Sequence, residues 1–148
     1  MKRFRWILLA LAVAQAAVLG ACRESTPADW SERPMQIHYL EIVTEEVDAV
    51  CAAYAAANGV EFAEPDAGLG NARTAPLPGG GLVGVRAPLR ETEEPVVRPY
   101  WLVDDVEAAV AAAVEAGGAL AHPPLEIPGH GTFAIYIHGG VEHGLWQR

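Results

Sequence analysis

Three short stretches of the chain put side chains capable of chemistry on shared faces. Strand-like alternation over residues 36–43 sets Tyr39 and Glu41 on one side and His38, Leu40 and Ile42 on the other. Residues 96–103 do the same for Arg98, Tyr100 and Leu102, and residues 142–147 for Glu142, Gly144 and Trp146. Brought together, Tyr39, Glu41, Arg98, Tyr100 and Trp146 offer rings, a carboxylate and a guanidinium, which suits a small, flat, polar-edged molecule. Glu41 is the candidate catalytic residue. A carboxylate base needs surroundings that favour proton uptake and a substrate proton within reach. A plain structural ion pair between Glu41 and Arg98 explains the same two residues equally well. Arg73 and Arg86 are further candidates for an anionic ligand, although such residues are more often solvated. Tyr100 and Trp101 point to opposite faces, so one of them belongs to the core.

The remaining reactive residue types give bland readings. His38, His122, His130, His138 and His143 are scattered, and the late group of His130, His138 and His143 has neither helical nor zinc-knuckle spacing. These are read as surface or hydrogen-bonded histidines. Cys51 falls on an apolar helix face and is read as a small buried hydrophobe rather than a nucleophile. There is no nucleophile elbow, phosphate-binding glycine loop or dinucleotide fingerprint. Gly79-Gly80-Gly81 follows Pro-Leu-Pro and precedes a strand, so it is a turn.

The elements that must position the faces are written twice. Residues 98–118 read as strand, acidic turn, helix and glycine stop. Val106, Ala109, Val110, Ala113 and Val114 form one face of a 3.6-residue helix. Asp104, Asp105 and Glu107 sit at its positive end and Gly117-Gly118 ends it. Residues 39–59 repeat the pattern at a constant offset of 59, with Glu45, Glu46, Val47 and Asp48 over Asp104, Asp105, Val106 and Glu107. The full prediction is strand 36–43, Thr44 as N-cap, helix 45–57 with Val47, Val50, Cys51 and Tyr54 inward, and strands 60–63, 71–75 and 82–87. After a charged linker, 88–95, come strand 96–103, helix 105–116, strand 119–122, a loop over 123–131, and strands 132–138 and 142–147. Pro99 demands an edge or a bulge. The fold class is α+β: two tandem βαβββ modules, 36–87 and 96–147, sharing a mixed sheet.

The 148 residues suffice for one domain with a core, and the composition is that of a globular protein. Lys2, Arg3 and Arg5 precede a 16-residue apolar run, Trp6 to Ala21, broken only by Gln15. That run is short for a bilayer span. Leu19-Gly20-Ala21-Cys22 resembles the bacterial lipobox, which implies a signal peptide over 1–21, a lipidated Cys22 and a polar tether over 22–35. The implied location is the cell envelope, with the domain facing periplasm or exterior. Arg23 after the cysteine suggests an outer membrane where two membranes exist. The net charge is −9, and without the three basic leader residues it is near −12. That argues against nucleic acid and against an anionic membrane surface as partners. With Cys22 lipidated, Cys51 has no disulfide partner.

The duplicated unit resembles the vicinal oxygen chelate superfamily, which includes glyoxalase I, bleomycin-resistance proteins and extradiol dioxygenases. The similarity rests on the repeat, on Tyr39–Thr44 as a first strand, on Tyr100–Val106 as the opening of the second module, and on Gly131–Ala134 with Gly144–Gln147 as a closing hairpin. These motifs are similar to the glyoxalase-like "hydroxylase-related" branch. The resemblance implies a curved sheet cup around a ligand or metal, and a homodimer with modules swapped as one option. It also implies a divalent ion held by His and Glu. Its ligand positions fall on Tyr39, Arg98, Gly144 and Gly84 or Val85, none a usual ligand. The expectation is therefore a lipid-anchored protein that binds a small molecule without the family metal and without another cofactor, a divalent ion being the lesser alternative. A glyoxalase-like lyase, isomerase or dioxygenase using Glu41, and an envelope structural protein with a vestigial cup, are the other readings.

Overall fold

The computed structural model describes residues 35–148. The expected leader, the lipidated Cys22 and all but the last residue of the tether lie outside the described residues. Seven strands and two α-helices follow in the order β1 (Ile37–Val43), α1 (Val47–Asn58), β2 (Arg73–Pro76), β3 (Leu82–Arg86), β4 (Val96–Leu102), α2 (Val106–Glu115), β5 (Ala119–Ile127), β6 (Gly131–His138) and β7 (Val141–Gln147). They form one mixed sheet in the order β2-β3-β1-β4-β7-β6-β5. The α+β class expected from the repeat is what the structure has, with an open seven-stranded sheet.

The sheet carries the repeat in its pairing. β1 runs parallel to β3, and β4 runs parallel to β7. β1 and β4 meet antiparallel in the middle, with Tyr39 opposite Tyr100 and Glu41 opposite Arg98. Adding the 59-residue offset turns the first of these pairs into the second, so an approximate twofold axis passes between Leu40 and Pro99. Glu41 lies beside Gly84 as Tyr100 lies beside Gly144, which is the same relation one module on.

The helices cover one face of the sheet with the stripes the periodicity predicts. Val47, Val50, Cys51 and Tyr54 of α1 pack on Ile42, Ala75, Val83 and Val85, while Val106, Ala109 and Val110 of α2 pack on Ala134 and Leu145. Val114 lies outside this contact and is exposed. The starts of the helices differ. Asp105 caps α2 by accepting from the Ala108 backbone amide. Thr44 does not cap α1: its hydroxyl accepts from the Glu46 amide two residues on, and Glu46 itself holds the N-cap position without a side-chain bond.

Three predicted boundaries need correction. Residues 60–63 form no strand. Val60 and Phe62 pack on the α1 core, but only the Ala63 amide bonds to this edge, at the Thr74 carbonyl. Pro65 then ends the approach, so module one is a strand short. Residues 123–127, read as loop, belong to β5, whose register slips on both sides of His122. The two prolines there sit on an outer strand, where missing donors cost little. Pro99 lies on neither an edge strand nor a bulge. β4 is interior, but its ladder to β7 begins only at Tyr100, so Pro99 has one neighbouring strand and withholds no needed hydrogen bond.

Candidate functional site

The uncovered face of the sheet curves around a cavity of about 540 Å³. Tyr39, Glu41, Arg98, Tyr100 and Trp146 all line it, as strand alternation on β1, β4 and β7 requires. One wall is apolar. Tyr100 and Trp146 meet edge to face with ring centroids 5.7 Å apart, and Phe133 of β6 lies against both. His122 stacks on Phe133 at 4.8 Å, and Leu69, Leu125 and Ile127 complete the wall.

Beside it, and joined to it through Tyr100, runs a ladder of alternating charge. Glu41 accepts from Arg86 Nε at 2.7 Å through one oxygen, and from Arg98 Nη1 and the Tyr100 hydroxyl (3.0 Å) through the other. Arg86 reaches on to both oxygens of Glu93 at 2.7 and 2.9 Å. Arg98 reaches on to Glu142 through Nε (2.8 Å) and Nη2. The order is therefore Glu93, Arg86, Glu41, Arg98, Glu142. Its three central side chains are 6–8 % exposed, whereas Glu142 is 40 % exposed. Burying charges at this cost is tolerable only when each is paired and hydrogen-bonded, as these are.

This arrangement bears on both readings of Glu41. Its pairing with Arg98 is real and is doubled by Arg86. Neither carboxylate oxygen is free, so proton abstraction would first require breaking an ion pair. Burial, and next the negative charge of Glu41, push the Tyr39 and Tyr100 hydroxyls up, so both remain O–H groups. Tyr100 donates to Glu41, while the buried Tyr39 hydroxyl has no partner among the described residues.

Glu93 yields a pH prediction. The hydrogen bonds from Arg86 pull its carboxyl down from 4.5 to about 2, against an upward push from burial. A lowered folded-state value stabilises the fold above pH 4.5, and that stabilisation is lost as pH falls towards 2. The contribution is at most about 3 kcal/mol. Denaturant midpoints measured from pH 5.5 to 2.5 are expected to fall steeply in the wild type and less steeply in Glu93→Gln. Equal slopes would mean that Glu93 does not report on the ladder.

The positions at which the resemblance places metal ligands carry side chains ill suited to a metal. Neither Tyr39 nor Arg98 is a usual donor for a divalent ion, and Arg98 repels one. The two glycine positions have no room for a ligand side chain. A Cβ on Gly84 would lie within 2.6 Å of the hydroxyl end of Tyr39, and one on Gly144 within 2.8 Å of three carbons of the Tyr100 ring. Among the described residues no three His, Cys, Asp or Glu side chains converge. The histidines go elsewhere: His130 pairs with Asp66, His143 stacks on Tyr136, and His122 is in the apolar wall.

Several residues were misplaced or missed. His38 does not join the helix-side core: β1 is irregular there, and its ring lies 5.6 Å from Trp146. Leu102 borders a separate depression with Trp101. Arg86 is buried rather than solvated, and Arg73 pairs with Asp48 at the surface. Glu93 and Arg90, both in the segment read as a linker, line the cavity. Nothing in 88–95 except its charge marks them.

No protein-family model matches the chain, and no curated protein matches it in sequence. Solved structures do match it in shape. A hypothetical protein from Bacillus halodurans superposes with a TM-score of 0.61 at 14% identity, over 78% of this chain and 96% of that one. Methylmalonyl-CoA epimerase from Mycobacterium tuberculosis gives 0.58 at 18%, over 75% and 86%. The Mn(II)-bound glyoxalase from Novosphingobium aromaticivorans gives 0.58 at 24%, over 76% of this chain and 38% of that one. The chain thus shares its fold with these epimerase and glyoxalase structures.

Proposed function

We propose that this is a lipid-anchored small-molecule-binding protein of the cell envelope, built on the glyoxalase-like fold and working without that fold's metal. One observation carries the reading. Five side chains from three strands converge on a cavity large enough for a metabolite, and two tyrosines and an arginine fill the places a metal site would need. A carboxylate locked between two guanidiniums supports recognition over proton abstraction by Glu41. The anchor rests on the lipobox at Cys22, and the acidic net charge supports a partner other than nucleic acid.

Native mass spectrometry of the full chain extracted from membranes tests all three parts. The expected species carries acyl chains on Cys22, retains a small molecule and holds no stoichiometric metal. A bound divalent ion would overturn the metal-free reading, and an unmodified N-terminus the anchor. A chain that neither retains nor takes up any small molecule would favour the vestigial cup.

A further inference from the structure

We infer that the ligand is a monoanion with a planar oxyanion, in the simplest case a carboxylate on a flat apolar body, and that Glu142 occupies that carboxylate's place on Arg98. The inference rests on reading the cavity as a binding site.

The geometry at Arg98 is asymmetric. Its Nη1 edge faces inward to Glu41 and Tyr100. Its other edge, Nε and Nη2, faces Glu142, but both nitrogens converge on one oxygen, Oε2. A guanidinium edge matches a carboxylate best when two parallel N–H bonds meet two oxygens. Glu142 therefore fills the edge incompletely. It is also the most exposed carboxylate of the ladder, two residues past the Gly139-Gly140 turn, so it can swing into water without disturbing the core.

Charge counting points the same way. With Glu142 swung out, Glu93, Arg86, Glu41 and Arg98 make two neutral pairs with one guanidinium edge turned to the cavity. A monoanion restores the original balance. A neutral ligand offers that edge no compensating charge, and a single carbonyl oxygen cannot match its two parallel N–H bonds. Arg90 at the rim, exposed and without a carboxylate partner among the described residues, adds attraction for anions. The Tyr100, Phe133 and Trp146 rings supply the apolar wall for the body of the ligand.

The test uses the ¹⁵N-labelled full chain in detergent, titrated with benzoate, benzamide and benzylamine. The Arg98 Nε–H and Trp146 Nε1–H signals report binding. Benzoate is expected to shift both saturably, with benzamide about tenfold weaker. Glu142→Gln and Glu142→Ala are each expected to tighten benzoate about fivefold or more, because the competing carboxylate no longer reduces the population of open Arg98. Equal binding of benzoate and benzamide, or unchanged benzoate affinity in both variants, would overturn the inference and leave the cavity a binding site. Preference for benzylamine would overturn it in favour of a cation held by Glu142. Failure of all three probes to move Trp146 would remove the binding reading as well.

Discussion

Replacing Glu41 with alanine is expected to cost about 3–5 kcal/mol of folding stability, because it leaves Arg86 and Arg98 buried with an unpaired inner edge. A domain of this size holds about 5–15 kcal/mol in all, so the variant should sit close to unfolding at 37 °C. The midpoint of urea denaturation should fall sharply with little change in slope, since the surface exposed on unfolding hardly changes. Glu142→Gln provides the contrast. The same arginine is its partner, but the side chain is 40 % exposed, and its loss is expected to cost under about 1 kcal/mol. If Glu41→Ala were as mild as Glu142→Gln, the ladder would not be holding the sheet face together. Glu41 would then be free to act on a substrate, and the enzymatic reading would regain force.

That contrast also shows what the sequence could reveal. Alternation alone brought Tyr39, Glu41, Arg98, Tyr100 and Trp146 to one face, because a strand has only two faces and the 59-residue repeat fixed which strands are equivalent. The role of Glu41 was not legible, because it depends on Arg86, a residue 45 positions away. The two meet only through the parallel register of β1 on β3, which sets Val43 against Arg86. No local pattern encodes a parallel register. Glu93 was further from reach: it lies in a charged segment without periodicity and is recognisable only by what it touches. The missing strand at 60–63 failed for a related reason. Val60 and Phe62 alternate as a strand would and do pack inward, but a strand also needs a ladder, and a single amide bond at Ala63 does not make one.

Gly144→Ala tests the claim that aromatic rings occupy the place of a ligand side chain. The backbone at Gly144 lies in β7 without a positive φ, so alanine carries no conformational penalty there. Any cost must come from the Tyr100 ring lying on the glycine. That ring is packed among Tyr39, Leu69 and Trp146 and donates to Glu41, so it cannot step aside cheaply. Forcing a methyl group into such a site should cost about 3 kcal/mol, the upper end of the usual overpacking range. Tyr100→Ala alone should cost about 3–5 kcal/mol by opening a cavity. In the double variant the new methyl group enters the space the ring vacated, so the two losses should fall short of additive by about 1–3 kcal/mol in urea denaturation. An additive pair, or a Gly144→Ala variant within about 0.5 kcal/mol of wild type, would mean that the glycine is not held by the ring. With the coupling present, Gly144→Glu should misfold alone and be accommodated better beside Tyr100→Ala. A carboxylate and an aromatic ring would then be alternative occupants of one volume.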